Sequence, residues 1–176
     1  MRIYFVRHTS VDVPQGITYG QTDVPVNSTF ETEAEQVKER LTGLVFDAVW
    51  TSPLSRCVRL ATYCGYPDAY RDDRLKELSF GAWEMKTWDE ISMDPRSERW
   101  FADWLHTPAP QGESFQDQFE RLRQFIVEMS RQAYHQICVF AHGGILTCAR
   151  IYAGEYPLEE AFKQIPPYGS VIYIDV

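Results

Sequence analysis

Two four-residue apolar runs, Ile3-Tyr4-Phe5-Val6 and Ile137-Cys138-Val139-Phe140, stand near opposite ends of the chain, each followed within two residues by a histidine. Short apolar runs of this length read as buried strands. Strands are expected from Met1 to Val6, Ala48 to Thr51, Gln136 to Ala141 and Ser170 to Ile174, with a shorter one from Tyr70 to Asp73. Between them the apolar period changes to that of helices. Val37, Leu41 and Leu44 share one face of a helix from Glu31 to Leu44. Phe115, Phe119, Leu122, Phe125, Ile126 and Met129 mark a longer one, capped by Ser114 and running to about Tyr134. Ser52-Pro53 opens a helix to about Cys64, with serine at the N-cap and proline at the first position. Gly143 to Tyr152 is a further helix. Strands alternating with helices predict an α/β fold whose mostly parallel central sheet is covered on both faces.

Two stretches break this rhythm. Val11 to Thr29 carries Pro14, Gly16, Gly20, Pro25 and Asn27 and reads as a long loop, a length more often functional than merely connecting. Leu75 to Trp83 reads as a second loop, and Trp88 to Leu105 as a tryptophan-rich segment, helical in pieces. With 176 residues and no repeat or linker, one domain spanning 1–176 is expected, with an insertion around 83–110.

A net charge of −8 argues against nucleic acid, whose phosphates demand Lys and Arg, but leaves room for a local basic pocket. Cys57, Cys64, Cys138 and Cys148 form no C-x-x-C pair and none has a histidine at zinc spacing. They are expected to be reduced, and no metal site is expected. The N-terminus becomes charged too soon for a secretory signal, and no apolar stretch approaches membrane-spanning length. The expectation is a cytoplasmic protein with no membrane partner.

The chemistry gathers at strand ends. Arg7-His8-Thr9 follows the first strand and Ala141-His142-Gly143-Gly144 the fourth. Ligands of open α/β sheets bind outside the carboxyl ends of strands, so one site built from both ends of the chain is expected. Imidazole serves as nucleophile, base or ligand, and arginine matches phosphate or carboxylate oxygens. Arg56 falls in the first turn of the helix after Ser52, where backbone N–H groups already favour an anion. The paired glycines permit close backbone approach. The loop Leu75 to Glu84 offers two carboxylates, Glu77 and Glu84, for proton transfer.

In order and spacing these four elements resemble the histidine phosphatase (phosphoglycerate mutase-like) superfamily: Arg7-His8, Ser52-Pro53-Leu54-Ser55-Arg56, Glu77 before Gly81-Ala82-Trp83-Glu84, and His142-Gly143-Gly144. The resemblance implies a three-layer α/β/α fold and a phosphomonoesterase with His8 as nucleophile, forming a phosphohistidine. It places Arg7, Arg56 and a protonated His142 on the phosphoryl oxygens and Glu77 as general acid. Glu84 competes for that role but is expected to stabilise the loop. Gly143, Thr9 and Gln21 complete the expected substrate-binding set; no cofactor or metal is implied. The chain departs from the pattern at Thr9, where glycine is usual, and at Pro14, where asparagine contacts phosphate. Gln21 is the candidate replacement.

Gly16-Ile17-Thr18-Tyr19-Gly20-Gln21-Thr22-Asp23-Val24-Pro25 is similar to the α-ribazole phosphatase branch, which acts on α-ribazole 5′-phosphate in cobalamin nucleotide-loop assembly. The implied partner is a small-molecule phosphate ester. The alternatives are a broad-specificity phosphatase, a phosphoglycerate mutase, a protein phosphohistidine phosphatase and a catalytically dead phosphate-binding module. Trp83, Trp88, Trp100, Phe101 and Trp104 fit either a lid stacking on a flat base or the core of the insertion. The oligomeric state is left open, a homodimer included.

Overall fold

The computed structural model describes residues 1–176. Its five strands are β1 (Arg2–Arg7), β2 (Ala48–Thr51), β3 (Tyr70–Arg71), β4 (Gln136–Ala141) and β5 (Val171–Asp175). They form one sheet in the order β3-β2-β4-β1-β5. All pairings are parallel except β1 with β5. The six α-helices are α1 (Phe30–Leu41), α2 (Ser55–Tyr63), α3 (Trp88–Ser92), α4 (Ser97–Ala102), α5 (Phe115–Met129) and α6 (Gly143–Tyr152).

The two apolar runs become the two central strands because each is buried on both faces. Alternate side chains point to opposite sides of a strand. Ile3, Phe5, Ile137 and Val139 pack on one side with Phe115, Leu122 and Phe125 of α5 and Ile145 and Leu146 of α6. Val6, Cys138 and Phe140 pack on the other with Phe30 and Val37 of α1 and Leu60 of α2. The result is the expected three-layer α/β/α arrangement. The register pairs Arg7 with Ala141, so His8 and His142 leave the sheet side by side.

A third cluster holds Leu78, Phe80, Trp83, Ile91, Trp100 and Ala109. The tryptophan-rich segment therefore shares a small core with the acidic loop that precedes it. Trp83 and Trp100 are buried within it, whereas Trp88 is 40% exposed and stacks on Trp100 with centroids 6.0 Å apart.

Several element ends differ from the sequence pattern. α1 stops at Leu41 because Gly43, at φ +82°, turns the chain away. α5 starts at the capping box formed by Ser114 and Asp117 but ends at Met129 rather than Tyr134. α2 begins at Ser55, with Leu54 in the N-cap position. Ser52 lies 3.4 Å from the Leu54 N–H, and its hydroxyl instead meets His142 Nε2 at 2.8 Å. β3 has two residues, and the loop from Leu75 to Trp83 carries a short 3-10 turn at Gly81–Trp83. All four cysteines are free. No helix is long and apolar enough to cross a membrane.

Gly81, at φ +53°, seats the acidic loop against the turn at residues 110–112: a Cβ there would stand 2.2 Å from the Pro110 carbonyl oxygen. Gly43 also has positive φ but open space around it. Chemical denaturation should therefore show Gly43→Ala losing about 1–2 kcal/mol, the left-handed backbone cost alone, and Gly81→Ala losing clearly more. Equal losses would mean that the Gly81 contact does not constrain the loop.

Candidate active site

The end of β1 delivers His8 with its backbone fixed: its N–H donates to the Ala141 carbonyl, and its own carbonyl accepts from the Gly169 N–H. The ring is 2% exposed. Its Nδ1 lies 2.7 Å from the Thr9 carbonyl oxygen. A carbonyl only accepts, so Nδ1 carries the proton and the neutral ring keeps its lone pair on Nε2. Burial, then the nearby Arg56, holds the His8 pKa well below the ordinary histidine value; Arg7 adds to the effect and the Thr9 carbonyl opposes it. His8 is thus a neutral imidazole with a free Nε2.

His142 stands 5.2 Å away, centroid to centroid. It is fully buried, bonded to Ser52 Oγ, with Cys57 Sγ 3.5 Å from Nε2. Burial first, then Arg56 and His8, push its pKa well below the ordinary value. With no ligand beside it His142 therefore favours the neutral ring, and the protonated form expected on phosphoryl oxygens needs an added negative charge nearby.

Two cations sit with these rings. Arg56, in the first turn of α2, is fully buried and donates to the carbonyls of Gly20 at 2.6 Å and Thr22 at 3.0 Å. Arg7 donates to the Pro166 carbonyl and stacks on Tyr168 with its guanidinium carbon 4.0 Å from the ring centre. The Nε of each is buried without a partner. Neither guanidinium is paired with a carboxylate. Buried charges ordinarily are, so the fully buried Arg56, with the half-buried Arg7 beside it, can accept an anion next to the neutral rings. Tyr19 packs over Arg56 and Tyr168 over Arg7, and the two hydroxyls hydrogen-bond to each other across the site. Burial, with that bond, raises the Tyr19 pKa.

Glu77 approaches from the acidic loop. Its Oε1 accepts from the Leu78 N–H at 2.9 Å and Gln118 Nε2 at 2.7 Å; its Oε2 accepts from the Gly144 N–H at 3.1 Å. A Cβ on Gly144 would lie 2.3 Å from Glu77 Oε1, and one on Gly143 would lie 3.1 Å from the Arg7 guanidinium carbon. The paired glycines are the clearance these two side chains need.

Glu84 has a different setting. It accepts from the N–H groups of Gly20, Gln21, Thr22 and Phe80 and from the Thr22 hydroxyl. Burial alone would raise its pKa, but these hydrogen bonds outweigh it and hold the carboxyl below its usual range. Glu84 thereby pins the loop whose carbonyls hold Arg56.

Two expected substrate contacts are corrected. The Gln21 amide nitrogen is engaged by the Glu77 carbonyl at 3.1 Å and Glu113 Oε2 at 3.5 Å, so it braces the acidic loop and is not presented to the arginines. Thr9 is fully buried with its hydroxyl unpartnered; its contribution comes through the carbonyl that orients His8. Arg121 was not legible as part of the site. It clamps the same loop, donating to the carbonyls of Arg74 and Glu77 and pairing with Glu113.

A cavity of about 190 Å³ opens beside Arg7 and Glu77, walled by Tyr19, Phe80, Trp88, Phe115, Phe162 and Ile165 among others. Trp88 belongs to this chamber, while Trp83 and Trp100 belong to the core. Phe162 and Ile165 went unread in the sequence because they lie in and just after a short 3-10 helix, Leu158–Lys163, before Pro166-Pro167; their only signal is their apolar character.

The family model described as histidine phosphatase superfamily (branch 1) matches residues 3–176. The chain belongs to the histidine phosphatase superfamily. Within this superfamily it is α-ribazole phosphatase-like. It is 29% identical over 155 residues to the adenosylcobalamin/alpha-ribazole phosphatase of Escherichia coli K12, covering 84% of this chain and 76% of that protein. The alpha-ribazole phosphatase structure from Shigella flexneri superposes with TM-score 0.89 at 25% identity, covering 100% of this chain and 91% of that one. A phosphoglycerate mutase from Thermus thermophilus superposes with TM-score 0.78 at 27% identity, covering 99% and 93%. The fold is phosphoglycerate mutase-like, and the family together with its phosphatase-named relatives supports phosphatase activity.

Because the folded Glu84 carboxyl is held below its unfolded value, its stabilisation is fully present above the unfolded value and is lost as pH falls through the folded one. Glu84→Gln should cost about 2 kcal/mol near neutral pH. The gap to wild type should close as pH drops below about 4. Thermal melts across pH check this; a gap that persists at low pH would assign the loss to packing.

Proposed function

We propose that this protein is a metal-independent phosphomonoesterase that works through a phosphohistidine at His8 and has α-ribazole 5′-phosphate as its substrate. The observation that carries the chemistry is a pair of carboxylate-free arginines, Arg56 fully buried and Arg7 half-buried, around a neutral imidazole whose lone pair lies on Nε2. A phosphate group entering between Arg7, Arg56 and His142 supplies the negative charge that these groups lack, and protonation of His142 then becomes favourable. Gly143 lets the start of α6 come close beside it.

His8 Nε2 attacks phosphorus, the P–O bond to the leaving group breaks, and Glu77 passes a proton to the departing oxygen. In the second step water attacks the phosphohistidine while the Glu77 carboxylate takes the water's proton. The P–N bond breaks, and inorganic phosphate and neutral His8 are regenerated. Charge on the equatorial oxygens is stabilised by donors already in place, which is where preorganisation contributes most. Splitting one displacement into two eases each.

The substrate reading rests on the chamber. Nine of its fifteen lining residues are hydrophobic, and the aromatic side chains among them, Phe80, Trp88, Phe115 and Phe162, suit a planar base. The name of the Escherichia coli relative supports the same substrate. A phosphoglycerate mutase reading is favoured by one structural relative and by several sequence relatives named as probable phosphoglycerate mutases, but a glycerate carboxylate would meet an aromatic wall in which Arg7 is the sole cation.

Incubation with a phosphate donor should add one phosphoryl group to the wild type and none to His8→Ala by intact mass; labelling that survives in His8→Ala removes the nucleophile assignment. Phosphate release should show kcat/KM for α-ribazole 5′-phosphate at least about tenfold above simple nucleotides, 3-phosphoglycerate and a phosphohistidine peptide, a difference worth about 1.4 kcal/mol. Broad, weak turnover would leave the phosphatase chemistry standing and remove the substrate.

A further inference from the structure

The buried stripe of α5 runs Phe115, Gln118, Leu122, Phe125, Ile126 and Met129. Gln118 is its polar interruption; it is fully buried against solvent and, with Glu77, stands in the wall of the chamber. Its Nε2 donates to Glu77 Oε1 at 2.7 Å, while its own Oε1 has no partner. Turning the amide over would set its oxygen against the carboxylate oxygen. The amide is thus held in one orientation by Glu77, and the unpartnered oxygen is a cost that a leucine at this apolar position would avoid.

What that cost secures can be read from the lone pairs. A carboxylate oxygen has two lone-pair directions. Both of those on Glu77 Oε1 are taken, one by the Leu78 N–H and one by Gln118. Oε2 accepts only from the Gly144 N–H and keeps one direction free. We propose that Gln118 is a positioning residue that confines the transferable proton of Glu77 to Oε2. The inference rests on the reading of Glu77 as general acid given above. In the first step the Oε2–H bond breaks as the bond from hydrogen to the leaving oxygen forms; in the second, Oε2 takes the proton from the attacking water. Without Gln118, Oε1 becomes a second protonation site facing α5, and a proton held there reaches no substrate.

Gln118→Leu and Gln118→Met both keep an apolar-compatible volume in the core, and either one folding suffices. Turnover of an alkyl phosphomonoester, whose leaving group needs a proton, is compared with that of p-nitrophenyl phosphate, whose leaving group does not. The ratio of alkyl to aryl kcat should fall about tenfold to a hundredfold. Gln118→Glu places a like charge against Glu77, and the alkaline limb of the pH–rate profile should move up by about one unit. Equal slowing of both substrates, or an unmoved ratio and pH profile, overturns the inference. Glu77→Gln is the control. If it lowers the ratio and the Gln118 variants do not, only the positioning role fails; if it slows both substrates alike, the acid reading fails and this inference with it.

Discussion

The parallel ladder between β1 and β4 is the constraint on which the site depends. These strands come from opposite ends of the chain, yet they are hydrogen-bonded neighbours at the centre of the sheet, with Arg7 paired to Ala141. That register sets His8 and His142 side by side before any side-chain interaction is counted. A slip of one residue would turn Val6 and Phe140 toward the wrong helices as well as separating the rings. Packing on both faces and the geometry of the site are therefore enforced by the same register, and the site inherits the rigidity of the core.

Around that frame the protein holds positive charge without an internal counter-charge. Backbone carbonyls satisfy part of each guanidinium, and two tyrosine rings cover them. Holding carbonyls in that position requires a fixed loop, and Glu84 fixes it through five hydrogen bonds. The carboxylates that could have neutralised the arginines are engaged elsewhere: Glu84 by the loop backbone, Glu77 by Leu78, Gln118 and Gly144, Glu113 by Arg121. The charge separation is a property of the whole hydrogen-bond network.

Much of this was legible in the sequence because it depends on strand ends. A histidine just past a buried apolar run has a place that periodicity alone can give, and His8, His142 and the layer order follow from it. Side chains that act through rotamer choice were not legible. Ser52 has the local pattern of a helix cap, but its hydroxyl goes to His142, ninety residues away. Gln21 stands in the right loop to reach phosphate, but Glu77 and Glu113 draw its amide aside. Gln118 did leave a trace, a polar residue on an apolar stripe, but its partner is supplied by a loop distant in sequence. The tryptophan-rich segment divides because a cluster of rings needs both an interior and a rim, and only packing tells Trp83 from Trp88.

The hydrogen bond between Tyr19 and Tyr168 ties the long early loop to the segment just before β5. His8 and Arg56 do not line the aromatic chamber; they lie behind this pair of rings. Arg7 lines the chamber, so an anion entering there meets one cation first, while Arg56 lies behind the Tyr19 ring. The chamber thus shows one positive charge at its wall and keeps the second, with His8, under cover.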